Sequence, residues 1–177
     1  LIDLFGLRPQ AVLTGLRIWQ PVTYLFLHGD FFHILFNMLL LWMFGVQLER
    51  LWGSSFFLRY YFITGIGAGV ATIVAGVLPF AFSEQTYLAV TIGASGAIYG
   101  LLVAFAIYYP NTPILMFFLF PVPAKYFVMI IGAICGFAAA VETGSPLLGF
   151  FAAAVGGAVL SLLFAFLTQI TLANQVA

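Results

Sequence analysis

The sequence predicts an all-α membrane protein, a polytopic bundle with five spans, and three observations predict it. Of 177 residues, 64% are hydrophobic and 6% charged, where soluble domains carry about a quarter charged residues. Mean hydropathy is +1.19. The charges, Asp3, Arg8, Arg17, Asp30, Glu49, Arg50, Arg59, Glu84, Lys125 and Glu142, all fall near the ends of apolar runs or between them. That is where a helical membrane protein keeps its charges.

Each element follows from the roughly 20 apolar residues that a span requires. Leu1 to Asp30 is no clean span: Pro9, Pro21, its charges, Trp19, Tyr24 and Phe26 suit an interfacial segment with aromatic anchors. Phe31 to Leu48 is the first span, closed by Glu49-Arg50. Phe57 to Pro79 is the second, with Gly65, Gly67 and Gly69 as a smooth face, and Pro79 to Tyr87 is a loop. Thr91 to Tyr109 is the third, ended by Pro110-Asn111-Thr112-Pro113. Ile114 to Phe120, bounded by prolines, reads as a hairpin in the interface. Ala124 to Val141 is the fourth span, 142 to 146 a turn, and Leu147 to Ile170 the fifth. With no repeat and no low-complexity segment, residues 1–177 form one transmembrane domain.

Five spans put the termini on opposite sides, with Arg50, Arg59 and Lys125 together on one and Glu84 and Glu142 on the other. The positive charges favour the first group as cytoplasmic. Formal net charge is zero, and no basic patch implies nucleic acid. Cys135 stands alone and forms no intrachain disulfide. The start at Leu1, without an initiator methionine or signal-peptide pattern, reads as a fragment lacking an amino-terminal portion.

Polar groups inside apolar runs are costly and usually functional. Ser95 lies in Gly93-Ala94-Ser95-Gly96, and His33 and Asn37 stand four residues apart on one helix face. Two readings stay open for each. Gly93, Gly96 and Gly100 form either a small-residue packing face or a loop around a nucleophile. Residue 97 is alanine and no strand precedes it, so this is not the nucleophile elbow of soluble hydrolases. Ser95 opens a helix under a polar loop, where backbone N–H groups are available to an oxyanion. His33 and Asn37 make either an interhelical hydrogen bond, worth about 1 kcal/mol, or a pair of oxyanion donors. Tyr99, one turn beyond Ser95, is a core aromatic or stacks on a partner of the serine. His28 and His33 are five residues apart, off one helix face, and no further His or Cys pair completes a ligand set, which argues against zinc; no cofactor is implied.

The run His28-Gly-Asp-Phe-Phe-His33-Ile-Leu-Phe-Asn37, then Glu49-Arg50-Leu-Trp-Gly53, then Gly93-Ala-Ser95-Gly-Ala-Ile-Tyr99-Gly100, closely resembles the rhomboid intramembrane serine proteases. Trp19-Gln20 stands where that family's first loop has a Trp-Arg pair. The resemblance implies that residues 1 to 30 are this loop and that the family's first helix lies upstream of Leu1. It further implies Ser95 as nucleophile, His33, Asn37 and the Ser95 N–H as oxyanion donors, and Tyr99 supporting a catalytic imidazole, with His28, Gly93, Gly96 and Gly157 in support.

In the last span the family has a histidine as general base, followed by small residues. Here Phe151-Ala-Ala-Ala154-Val-Gly156-Gly157 keeps the glycines and puts Ala154 in the histidine's place. A hydroxyl near pKa 15 needs a positioned base. Lys125 falls at the opposite membrane face, and Glu142 is a water-exposed carboxylate. Losing one member of such a site costs about 10⁴-fold or more, while binding and oxyanion stabilisation persist. The expected protein is a rhomboid scaffold in a bilayer, multi-pass in a bacterial inner membrane. It takes transmembrane helices as substrates or clients and is impaired, as a pseudoprotease or an altered protease. An active enzyme with a substitute base and a non-proteolytic or transporter-like bundle are the alternatives.

Overall fold

A computed structural model describes residues 1–77, 87–116 and 119–143, with side chains in the last stretch described as far as Cys135. Its packing divides into two units, Leu1–Leu101 and Leu102–Ala177.

In the first unit, residues 1–30 fold into short helices α1 (Ile2–Phe5), α2 (Pro9–Leu13) and α3 (Gln20–Thr23), then a 3₁₀ turn at Tyr24–Phe26. Pro9 and Pro21 sit in the first turns of α2 and α3, where a missing N–H costs nothing. Side chains knit the segment to its own backbone. Trp19 Nε1 and Gln20 Nε2 donate to the Leu4 carbonyl at 3.0 and 3.3 Å, and Thr23 Oγ1 to that of Phe5 at 2.7 Å. Gln20 is fully buried and its Oε1 accepts from the Arg8 N–H at 3.1 Å. A buried amide with both ends bonded specifies one chain path, because either end left alone would cost about 1–3 kcal/mol.

Two helices are long and apolar enough to cross a membrane, α4 (Phe31–Trp52) and α5 (Ser54–Val77). Asp30 caps α4, its Oδ1 accepting from the His33 N–H at 2.9 Å. The helix widens into a π turn at Leu41–Gly45 and runs to Trp52, past the end expected at Leu48. Glu49-Arg50 therefore lies inside the last turns rather than closing the span. Gly53, at φ +76°, is the single residue between the two helices. Only glycine takes that backbone readily, so α5 starts at Ser54, three residues before the expected Phe57.

The third expected span is shorter than its apolar run. Leu7 and Thr91 pair through two backbone hydrogen bonds, of 2.9 and 2.8 Å, which hold the chain extended there. Gly93 follows at φ +110°. Helix α6 therefore begins at Ser95, not Thr91, and runs 14 residues to Tyr108, about 21 Å at 1.5 Å per residue. The start of α6 packs against α5 through small residues. A Cβ on Gly65 would come within 3.1 Å of Ala97 Cβ, one on Gly96 within 2.5 Å of Ala68 Cβ, and one on Gly100 within 2.8 Å of Thr64. Gly96 and Gly100 thus face α5. Of the three glycines expected to smooth α5, Gly65 and Gly69 are used, against Leu25 and Tyr24, while a Cβ on Gly67 would meet nothing within 4 Å among the described residues. Leu7, Tyr24, Leu25 and Ala97 form the core where these elements meet.

In the second unit, β1 (Pro113–Met116) pairs antiparallel with β2 (Phe120–Pro123), Ile114 opposite Val122. Helix α7 (Ala124–Thr143) starts directly after β2. Its first N–H groups donate back to Thr112 and Pro110 carbonyls at 2.9 and 3.2 Å, which satisfies two of the orphan donors at its end. Lys125 Nζ donates to Asn111 Oδ1 at 3.0 Å. The helix continues through Glu142, which had been expected in a turn. The Pro79–Tyr87 loop, save Tyr87, and the Leu147–Ile170 span, with Ala154 and Gly157, lie outside the described residues.

The glycines separate by what they touch. Gly96→Ala should lower stability by about 1–3 kcal/mol through overpacking against Ala68, whereas Gly67→Ala should stay within about 0.5 kcal/mol of the parent. Reversible unfolding of both variants in detergent checks this. Equal effects would show that α5 and α6 do not pack at Gly96.

Candidate functional site

The site begins where the extended segment turns into α6. Tyr24 anchors it: its carbonyl accepts the Gly93 N–H at 2.9 Å, and its hydroxyl donates to the Gly65 carbonyl at 2.6 Å. Burial first, and Tyr61 second, push that hydroxyl up to about 12, so it remains a donor across the physiological range.

Ser95 is the first residue of α6 and its side chain is exposed. The first backbone ladder bond at this end is from Ile98 N–H to the Ala94 carbonyl, at 3.0 Å, so the Ser95 N–H stands ahead of the ladder. Among the described residues, no hydrogen-bond partner holds Ser95 Oγ in place.

From the first turn of α4, His33 reaches this loop. A Cβ on Gly93 would lie 2.6 Å from His33 Nε2 and 2.9 Å from its Cε1. Gly93 is therefore required twice over, by its positive φ and by the imidazole on the side where a side chain would stand. The structure thus joins the two motifs that the sequence holds 60 positions apart, and places an imidazole nitrogen two residues before Ser95.

Other expected residues are placed differently. Asn37 is buried, but its Nδ2 donates at 2.7 Å to the carbonyl of His33 in its own helix, so one amide hydrogen is spent along α4. Tyr99 stands on α6 one turn after Ser95, half-buried. Gly96 packs on Ala68. His28 meets His33 edge to face, with centroids 5.1 Å apart, and its Nε2 is shielded from solvent, with no hydrogen-bond partner among the described residues. Burial, and then the neighbouring His33, hold the His28 pKa below its ordinary value, against a weaker upward pull from the Phe26 backbone. No group of three or more metal-ligating side chains occurs among the described residues.

Sequence reasoning missed three contributors. Asp30 as cap was legible in principle, since Asp immediately before an apolar helical run is a start signal. Gly29, whose N–H donates to His33 Nδ1 at 3.3 Å, and the Tyr24 carbonyl act through the backbone and leave no such mark.

Two long apolar helices, glycine-mediated packing and an imidazole against the loop that leads to Ser95 are the features of this unit. The Rhomboid domain family matches residues 15–171, and the chain belongs to that family. It is 32% identical over 141 residues to the mitochondrial Rhomboid protein 1 of Saccharomyces cerevisiae, covering 78% of this chain and 38% of that protein. It is 35% identical over 98 residues to the rhomboid protease GluP of Bacillus subtilis, 55% of this chain and 17% of the relative. Against the rhomboid protease AarA of Providencia stuartii it is 34% identical over 104 residues, 56% and 37% respectively. The chain thus spans well under half the length of each of these relatives. They come from a mitochondrion and from bacteria, so the family does not single out the bacterial inner membrane. No solved structure matches the chain significantly.

A depressed imidazole pKa favours the neutral ring in the folded state. Its contribution is present above the unfolded value of about 6.5 and is lost as pH falls through the lower, folded value. Between about pH 7.5 and about pH 5 the melting temperature of the parent should therefore fall further than that of His28→Gln. Parallel curves for the two proteins would show that His28 is not held neutral.

Proposed function

We propose that this chain is the scaffold of a rhomboid-type intramembrane serine endopeptidase that acts on transmembrane helices of membrane proteins, and that it is catalytically impaired. The observation that carries the reading is the His33 imidazole lying over Gly93, two residues before an exposed serine at the start of a helix. An oxyanion forming when Ser95 Oγ attacks a peptide carbonyl would find donors there: the Ser95 N–H, the His33 ring and the remaining Asn37 amide hydrogen. Names of relatives such as GluP and AarA, both rhomboid proteases, support the reaction class.

The impairment rests on the sequence. Attack requires a base for the Ser95 proton, and Ala154, at the position where the family has histidine, supplies none. Tyr99, one turn from Ser95, is the residue on which an imidazole at that position would stack, and Gly156-Gly157 would let the last helix come close. His28, Gly93 and Gly96 support the site through packing, Gly93 under His33 and Gly96 against α5. The partners are the lipid bilayer and transmembrane-helix substrates or clients, with no cofactor and no nucleic acid.

A fluorophosphonate probe should label the parent weakly or not at all. In liposomes with a transmembrane reporter, Ala154→His should raise cleavage by a factor of about 10²–10⁴, and Ala154→His combined with Ser95→Ala should abolish it. Strong labelling of the parent that Ser95→Ala removes would overturn the impairment and indicate a substitute base. A folded Ala154→His protein without cleavage would favour a binding role for the scaffold over a disabled enzyme.

A further inference from the structure

We infer that Gly29 is a positioning residue that fixes the tautomer of His33, so that its ring N–H is carried by Nε2 and presented to the Ser95 loop, while Asp30 fixes where the ring leaves the helix. The observation is a division of labour around one ring. His33 Nδ1 accepts the Gly29 backbone N–H at 3.3 Å. A neutral imidazole carries one hydrogen, and a nitrogen that accepts a hydrogen bond does not hold it. The hydrogen is therefore on Nε2, the nitrogen that lies against Gly93.

Asp30 contributes from the other side. Its Oδ1 accepts the His33 backbone N–H at 2.9 Å, which starts α4 at Phe31 and fixes where the imidazole leaves the helix. His28 packs edge-on against the ring at 5.1 Å and limits its rotation. Together, residues 28 to 30 give His33 one tautomer and one orientation before anything binds. A donor preorganised in this way stabilises developing charge without reorganising during the reaction. With the opposite tautomer, Nε2 would present a lone pair to an oxyanion and repel it.

The geometry at Gly29 supplies a control. A Cβ there would lie 3.5 Å from Ile92 Cδ1 and 3.9 Å from His33 Nδ1, ordinary contacts, so Gly29→Ala keeps the N–H and the packing. Gly29→Pro removes the N–H. The tautomer is a ground-state property of the folded chain; only its consequence for turnover rests on the proposed protease reading.

The test is ¹⁵N NMR of histidine-labelled protein in micelles, at a pH where imidazoles are neutral. There are two histidines, and His28→Gln and His33→Gln assign them. The parent and Gly29→Ala should show His33 as a single Nε2–H tautomer, with its Nδ1 resonance shifted as for a hydrogen-bonded acceptor. Gly29→Pro should lose that shift and gain the Nδ1–H form. In the Ala154→His background, Gly29→Pro should lower kcat by about 10²-fold, the scale of one lost oxyanion donor, and leave KM unchanged. A parent His33 in the Nδ1–H form, or with the Nδ1 resonance of an unbonded nitrogen, overturns the inference even if Gly29→Pro does not fold. An inactive Ala154→His protein with the expected parent spectrum would count against the protease reading and leave the tautomer assignment standing.

Discussion

Tyr24 is the constraint on which the first unit depends. One buried residue, 3% exposed, touches both α5 and the segment that leads to Ser95. Its carbonyl holds the Gly93 N–H, its hydroxyl holds the Gly65 carbonyl, and its ring rests where a Cβ on Gly69 would come within 3.0 Å. Each of those hydrogen bonds is worth about 1 kcal/mol net. Their joint effect is positional, because they bring the interfacial segment, α5 and the serine loop to one point. If the aromatic ring were lost, the glycines that accommodate it would face a void, and a core cavity of that kind costs about 3–5 kcal/mol.

The segment before α4 is accordingly part of the fold and not a loose connection. The pair of hydrogen bonds between Leu7 and Thr91 aligns it with the strand-like stretch that leads to Ser95. Gly6 has no room for a Cβ beside Val90 and Ile92, so the two stretches touch closely. That contact decides where α6 begins. Hydrophobicity alone would allow a helix from Thr91, but an extended residue paired to a neighbour cannot also be helical, and Gly93 then turns the chain in a backbone region that few side chains tolerate.

In the proposed reading, a donor side around His33 is paired with alanine at the position of the base. His33 is fixed by a cap, a ring contact and a backbone N–H, and Gly93 leaves it space. Under the proposed function such preorganisation would stabilise an oxyanion, and it would equally serve recognition of a carbonyl without cleavage. The two outcomes differ in one group, the acceptor for the serine proton, because electrostatic stabilisation lowers a barrier only once a nucleophile has formed.

Composition and motif order determined the class of this protein without help. A chain with so few charges cannot fold as an ordinary soluble domain, and His33, Asn37 and Ser95 in their spacing carried the family. The reading of Ala154 as the position of the base rests on motif position alone and belongs to the proposal. Tertiary structure alone decided the element boundaries and the partners of each glycine. Residues 1–30 fold through side-chain bonds to backbone carbonyls, which have no sequence signature. Gly96 and Gly100 look alike in any packing pattern, and only the crossing of α5 over α6 directs them to Ala68 and Thr64. Asn37 illustrates the same limit. Its place one turn from His33 was legible, but an amide can donate inward along its own helix as readily as outward, and the local competition settled on the His33 carbonyl.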